Sequence, residues 1–270
     1  MASPRSVPLV KAHAFGNDFL LADAAAVADM ADPADLARRV CERHRGIGGD
    51  GLMLITPTAD GADTRLWNAD GSRAEISGNG VRCAAAWVAH QRATAVGETL
   101  VIGTVAGPRR LTLLAHAEGR LTFRAEMGPP AALREETIAI DEVPVRCVVL
   151  RVGNPQCVVL GPVTPERLHA VAAKLAVHPF FPEGTNVELA AVEAPDRVRI
   201  LIWERGVGPT EASGTGACAS AVAAAFAGGA GRAVDVIAPG GTQHVEWTDE
   251  TIWLTGWAEI VGTAEQWIRA

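Results

Sequence analysis

The chain nearly repeats itself: Glu75-Ile76-Ser77-Gly78-Asn79-Gly80 recurs 136 positions later as Glu211-Ala212-Ser213-Gly214-Thr215-Gly216. Each copy opens an alanine-rich stretch of helical character, so the sequence carries two versions of one small-polar-plus-glycine helix start. The offset persists along each half. Gly16-Asn17-Asp18 answers Gly153-Asn154-Pro155, and Asp50-Gly51-Leu52 answers Asn186-Val187-Glu188. Trp67-Asn68 answers Trp203-Glu204, and Val101-Ile102 answers Val236-Ile237. A collinear series of this kind marks an internal duplication, which constrains the fold before any single element is read. It predicts two homologous domains, residues 1–130 and 131–270, with the last strand able to pack back on the first.

Within each half the pattern is strands around one long helix. Val10–Phe15, Leu52–Thr56, Arg120–Glu126, Cys147–Val152, Arg197–Trp203 and Ile252–Trp257 read as strands bounded by turn residues. A helix is expected over Pro33–His44, capped by Asp32 with proline at its first position, and a counterpart near Thr164-Pro165 follows the same logic. The stretches Gly78–Arg92 and Gly214–Ala227 are so rich in alanine and other apolar residues that they are expected to be buried almost all round. The fold class is therefore α+β, two pseudo-symmetric domains that are each a mostly antiparallel sheet wrapped around a central helix.

Composition excludes several functions. At 270 residues each half can bury its own core, and 49% hydrophobic with 20% charged residues is a globular, ordered composition. The net charge is −7 with scattered arginines, which leaves no basic footprint for nucleic acid or an anionic membrane. No run reaches the length of a membrane span and Met1 to Pro8 lacks a signal-peptide core, so a cytoplasmic protein is expected. Five cysteines, an odd number without paired metal spacing, read as small buried thiols. The seven histidines show no HxxxH pairing, so no metal is expected. Pyridoxal phosphate needs a Schiff-base lysine, and Lys11 and Lys174 both lie outside these turns. No cofactor is expected, which leaves acid–base chemistry by side chains.

A helix N-terminus presents unpaired N–H groups and a partial positive charge, so it binds carboxylates. Gly78, Gly80, Gly214 and Gly216 let a ligand approach the backbone closely. Ser77 and Ser213 can equally be ordinary N-caps, but the matched pair, each preceded by a polar turn, points to two chemical groups acting on one small molecule. Asn17, Asn68, Asn79, Asn154 and Asn186 form a second constellation. Asparagine is a usual turn residue; together these side chains are uncharged donors and acceptors suited to a zwitterion. Glu204-Arg205 follows an apolar strand and places an ion pair at its end, where Arg205 can clamp a carboxylate while Glu204 receives an ammonium.

Ala14-Phe15-Gly16-Asn17-Asp18-Phe19, Arg45-Gly46-Ile47-Gly48, Asn68-Ala69-Asp70-Gly71-Ser72, Gly78-Asn79-Gly80-Val81-Arg82-Cys83, Gly153-Asn154-Pro155, Asn186-Val187-Glu188, Glu204-Arg205-Gly206-Val207-Gly208 and Gly214-Thr215-Gly216-Ala217 together resemble, in order and over nearly the whole chain, the signature segments of diaminopimelate epimerases. The resemblance implies a diaminopimelate epimerase-like fold with the active site in the cleft between the domains. It also implies cofactor-independent epimerisation of LL-diaminopimelate to the meso form in lysine biosynthesis, and a homodimer. By the same resemblance Ser77 and Ser213 occupy the catalytic positions. Asn17, Asn68, Gly78, Asn79, Asn154, Asn186, Glu204, Arg205, Gly214 and Thr215 would hold the amino-acid substrate.

The sequence departs from the family at those two positions, which are cysteine in the family and serine here. A free thiol titrates near ~8.5 and an alcohol near water's ~15.7, a gap of roughly 10 kcal/mol at about 1.36 per unit. A helix dipole supplies only ~0.3–2 kcal/mol, so a serine base needs a strong partner. Gln156 stands where the family has histidine, and Gly51 where it often has glutamine. Three readings stay open: the epimerase itself; a divergent member catalysing another isomerisation, racemisation or dehydration, as in the wider proline-racemase-like superfamily; or a non-catalytic amino-acid-binding protein.

Overall fold

Strand Arg5–Ala14 turns at Phe15-Gly16 into strand Asn17–Asp23, with Ala14 opposite Asn17. Both turn residues have positive φ, 55° at Phe15 and 88° at Gly16, the backbone of a two-residue hairpin. A bulky residue rarely adopts this conformation, and packing holds it: the Phe15 ring is 1% exposed and lies 4.4 Å from that of Trp257. This computed structural model describes residues 5–28, 32–74 and 77–268. Glu75 and Ile76, which begin the first repeat motif, and the first four residues of the Met1–Pro8 segment lie outside the described residues.

The chain divides into two compact units, residues up to 124 with 257 onward, and residues 125–256. In the first, Asn17–Asp23 pairs in parallel with Gly51–Pro57, which pairs antiparallel with Gly61–Asn68. Gly61–Asn68 pairs antiparallel with the short Arg73–Ala74 and in parallel with Thr99–Gly103, which pairs antiparallel with Arg109–Ala117. The second unit repeats the order: Val143–Val152 with Asn154–Leu160, then Asn186–Ala194, Arg197–Glu204, Gly208–Thr210, Ala233–Ala238 and Gly241–Trp247, in the same parallel and antiparallel senses. Strand Ile252–Ile268 pairs with Gly241–Trp247 through its first residues, and its later residues pair antiparallel with Arg5–Ala14. The expected α+β class and duplicated sheet-around-helix units are present.

The pairing corrects one sequence match. Gln156 sits opposite Asn186 as Phe19 sits opposite Gly51, and Val187 opposite Trp203 as Leu52 sits opposite Trp67. Gly51, Leu52 and Met53 are thus the counterparts of Asn186, Val187 and Glu188, one residue from the alignment read off the sequence. Since strand side chains alternate faces, a shift of one exchanges the core-facing set.

The helix Gly78–Arg92 has the expected bounds and buries Asn79 to Ala86, Val88 and Ala89, with His90 to Arg92 exposed. Its twin Gly214–Ala223 is buried at all ten positions and continues as a wider turn through Gly228. Their alanines are too small to separate strands packed on several sides, so the sheet closes tightly around each helix. The first helix, Pro33–Cys41, takes the expected Asp32 cap at 3.1 Å from Ala34 N–H but ends three residues before His44. Beyond it the Glu42 carboxylate accepts from the His44 and Arg45 N–H groups, and Gly46 to Gly49 return their N–H groups to the carbonyls of Val40, Cys41 and Glu42. A Cβ at Gly46 would lie 2.3 Å from the Arg39 carbonyl, so only glycine closes this turn. Thr164 caps its helix as expected, accepting from Arg167 N–H at 3.2 Å.

Candidate functional site

Ser77 and Ser213 adopt nearly the same backbone, φ −132° and ψ 120° against φ −137° and ψ 126°. Each hydroxyl oxygen accepts from the N–H three residues on, Gly80 or Gly216, at 3.1 Å in both cases. Both serines are therefore N-caps, and the cap leaves the hydroxyl proton uncommitted. Gly78 and Gly214 are the first helical residues behind them.

At the first start the polar side chains form a chain. Asn17 Nδ2 donates to Asp50 Oδ2 at 2.7 Å, and Asn79 Nδ2 donates to Asn17 Oδ1 at 3.2 Å. Arg82, fully buried one turn into the helix, donates to Asn79 Oδ1 and lies 5.7 Å above the Phe15 ring. The buried Asp18 binds Lys11 at 2.9 Å and Arg43 at 2.8 Å. Burial alone would raise its carboxyl, but hydrogen bonds from Arg43 and Lys11 outweigh that and hold it below the ordinary carboxylate range. Asn68 is engaged separately, through Ser72: its Nδ2 donates to Ser72 Oγ at 2.9 Å and its N–H to the Ser72 carbonyl at 2.8 Å. A Cβ at Gly51 would come within 2.7 Å of the Trp67 carbonyl, so glycine fits this strand position.

At the second start Ser213 and Thr215 are buried, their hydroxyls 3.4 Å apart, and Gln243 Nε2 donates to the Ser213 carbonyl at 3.5 Å. Asn186 Oδ1 accepts from Arg205 N–H at 2.9 Å, fixing the end of strand Arg197–Glu204. The Arg205 guanidinium reaches the Glu183 carbonyl at 2.7 Å, while Glu204 beside it is half-buried. Asn154 Oδ1 accepts from Gln156 Nε2 at 2.6 Å. Gln156 is fully buried and its Oε1 has no hydrogen-bond partner among the described residues.

One residue outside the expected set stands out. Glu188 is fully buried on strand Asn186–Ala194, and neither carboxylate oxygen has a hydrogen-bond partner among the described residues. A Cβ built on Gly216 would meet Glu188 Oε1 at 2.5 Å and Ser213 Cβ at 3.1 Å. Burial, with the charge of Glu204 adding to it, pushes the Glu188 carboxyl well above its ordinary value. Its signal in the sequence was the acidic residue inside Asn186-Val187-Glu188-Leu189, an otherwise apolar run once past the asparagine. Asp50, Arg82, Gln156 and Gln243 were likewise outside the expected set.

The five cysteines are all buried and none forms a disulfide, as expected. Cys83 lies inside its helix with its thiol pushed up to about 12 by burial, which keeps it protonated. Among the described residues no group of three or more His, Cys, Asp or Glu side chains is arranged to hold a metal ion. No described helix is long and apolar enough to cross a membrane.

Residues 9–133 and 148–261 match the family model for diaminopimelate epimerase. A diaminopimelate epimerase of Desulforudis audaxviator is 39% identical over 278 aligned residues, covering 96% of this chain and 99% of the relative. One from Heliobacterium modesticaldum is 38% identical, covering 92% and 95%. Among solved structures, a hydroxyproline epimerase from Agrobacterium vitis superposes with TM-score 0.71 at 16% identity, covering 98% of this chain and 92% of that one. A PhzF-family phenazine biosynthesis protein from Bacillus anthracis superposes with TM-score 0.72 at 13% identity, covering 98% and 100%. At such identities these two carry the fold alone.

Proposed function

Because the chain belongs to the diaminopimelate epimerase family, we propose that it epimerises an amino acid at its α-carbon without a cofactor, LL-diaminopimelate to the meso form being the leading reaction. The observation that carries this reading is the twin cap: two serine hydroxyls in one backbone geometry, each accepting from a glycine N–H at 3.1 Å. Inverting a stereocentre by proton transfer needs one group to take the α-proton and another to return one to the opposite face, and the duplication supplies two such groups. Ser77 and Ser213 take those roles.

The substrate's carboxylates would be met by the amide groups of Gly78-Asn79 and Gly214-Thr215 at the helix starts and by Arg205. Glu204 would receive an ammonium, and Asn17, Asn68, Asn154 and Asn186 would supply the uncharged contacts. Asn17 is pre-oriented for this: its Nδ2 is committed to Asp50 and its Oδ1 to Asn79. A homodimer in the cytoplasm is the proposed working state, on the family's pattern.

The test is incubation of the pure protein with LL-diaminopimelate in deuterated water. The reading predicts meso product carrying α-deuterium; absence of both product and exchange would sink it. A second reading, favoured by oxygen at both positions where the family has sulfur, is a proton shift or dehydration on a hydroxylated or unsaturated acid. Turnover of such an acid together with inertness toward diaminopimelate would select it.

A further inference from the structure

The two helix starts share their caps but not their backing. Behind Ser77, a Cβ placed at Gly80 would meet the methyl of Met53 at 2.7 Å; behind Ser213, the equivalent point at Gly216 meets Glu188 Oε1 at 2.5 Å. Met53 and Glu188 are the same strand position in the two units, as the register requires. One hydroxyl is thus backed by a thioether and the other by a carboxyl group, both essentially sealed from water.

A carboxyl group with no hydrogen-bond partner is costly to bury, and more so if charged, so its presence here calls for a use. The charged and titratable groups around it are few. Glu204 on strand Arg197–Glu204 acts on it by charge, and its own charge is felt by Cys157 on strand Asn154–Leu160. The helix Gly214–Ala223 carries Cys218 as its one titratable side chain, and a helix N-terminus favours negative charge placed at it.

We propose that Glu188 is the acid–base partner of Ser213, so that the two act as a proton relay, whereas among the described residues the matching position behind Ser77 is the thioether of Met53. This rests on the reading that Ser213 transfers the α-proton. In the donating direction the Ser213 O–H bond breaks as its proton and the carbanion's electron pair form the new Cα–H bond. The Glu188 O–H bond breaks in the same step, its proton passing to Ser213 Oγ, and the negative charge comes to rest on the Glu188 carboxylate. The reverse sequence removes the α-proton and returns Glu188 to its neutral form. Oε1 and the Ser213 Cβ lie within 2.5 and 3.1 Å of one point, which makes the two side chains neighbours; the relay requires their contact to close when substrate is bound, as catalytic contacts often do. Burial raises this carboxyl and so favours its protonated form, the property a donor needs.

The experiment combines kinetics with infrared spectroscopy on the intact protein. Glu188→Gln is expected to lower kcat for diaminopimelate about 10²–10⁴-fold, with KM little changed and one limb of the pH–rate profile lost. Unchanged kcat with an unchanged profile would overturn the relay. Independently of turnover, and of whether the Gln variant folds, the wild-type protein should show a protonated carboxyl band near neutral pH that moves on ¹³C-glutamate labelling. Glu188 is the one buried glutamate among the described residues, which assigns that band. Its frequency should move again in Ser213→Ala. A band indifferent to Ser213, or no such band, refutes the pairing. Wild-type protein inert toward diaminopimelate would defeat the epimerase reading, and the infrared result would still decide whether Glu188 and Ser213 are coupled.

Discussion

Replacing Glu188 with glutamine should change how stability depends on pH, in a direction the structure fixes. In the unfolded chain the carboxyl titrates near ~4.3; in the folded protein burial and Glu204 raise it well above that. Between the two values the folded state holds a proton that the unfolded state has released. Stability from this group is therefore full below the unfolded value and is lost as pH rises toward the folded one. One proton corresponds to about 1.36 kcal/mol per pH unit. Between pH 5 and 7, wild type should lose up to about 2.7 kcal/mol relative to Glu188→Gln, whose amide does not titrate. The other titrating groups are common to both proteins and cancel in the difference, apart from Glu204 and Cys157, which are coupled to Glu188 by charge. Urea unfolding at pH 5, 6 and 7, followed by tryptophan fluorescence and by hydrogen exchange in strand Asn186–Ala194, measures the gap. A gap that stays constant with pH would mean that Glu188 is not held neutral, and the reasoning from its burial would fall.

Three further outcomes follow from the same contacts. Asp18→Asn should cost about 2–3 kcal/mol at neutral pH by weakening charged hydrogen bonds from Arg43 and Lys11. Because that carboxyl sits below its ordinary value, the difference from wild type should shrink as pH falls through the folded Asp18 value, readable in acid unfolding curves. Gly216→Ala should damage stability and turnover more than Gly80→Ala: the first drives a methyl into a buried carboxyl at 2.5 Å and the second meets the end of the flexible Met53 side chain at 2.7 Å. Thermal melts and kcat of the pair check this. Ser77→Cys with Ser213→Cys should raise α-deuterium exchange at least about 10²-fold, since a thiol near ~8.5 is a far better base than an alcohol. An exchange rate that does not rise would place the barrier elsewhere than in the proton-transfer groups.

The duplication, the two central helices and their serine caps were legible because each rests on local chemistry: a cap residue, glycines and a long alanine run. The helix expected over Pro33–His44 stops at Cys41 without a local signal, because a turn that folds its N–H groups back on Val40, Cys41 and Glu42 is not a helix breaker by composition. Asn17 was legible as a turn residue, but its partners were not. Asp50 and Asn79 reach it from 33 and 62 residues away, and such pairings depend on strand order rather than on local pattern. The burial of Arg82 had no local signal, because a charged residue in an alanine-rich helix gives no sign of being fully buried.

The least legible feature was the asymmetry, and its cause is a shift of one residue. Aligned on the helix starts, Glu188 falls opposite Leu52, an unremarkable exchange in a strand. Aligned by the observed pairing, it falls opposite Met53, whose methyl occupies the place of the carboxyl behind the twin cap. The hairpins preceding these strands differ in the same way, with Ala14 opposite Asn17 across two residues and Val152 opposite Asn154 across Gly153 alone. A duplicated scaffold sets two hydroxyls in one geometry, and that alone gives two equal groups. Inverting a stereocentre in a given direction asks one group to hold a proton while the other lacks one. A buried acid behind one cap and a methyl behind the other would supply that inequality without disturbing either cap. Glu188→Met, which repeats the first unit's chemistry in the second, therefore tests the argument at its root. The relay requires the variant to fold with both caps intact and to lose turnover about as fully as Glu188→Gln, whereas wild-type turnover in this variant would leave the duplication symmetric in function as well as in form.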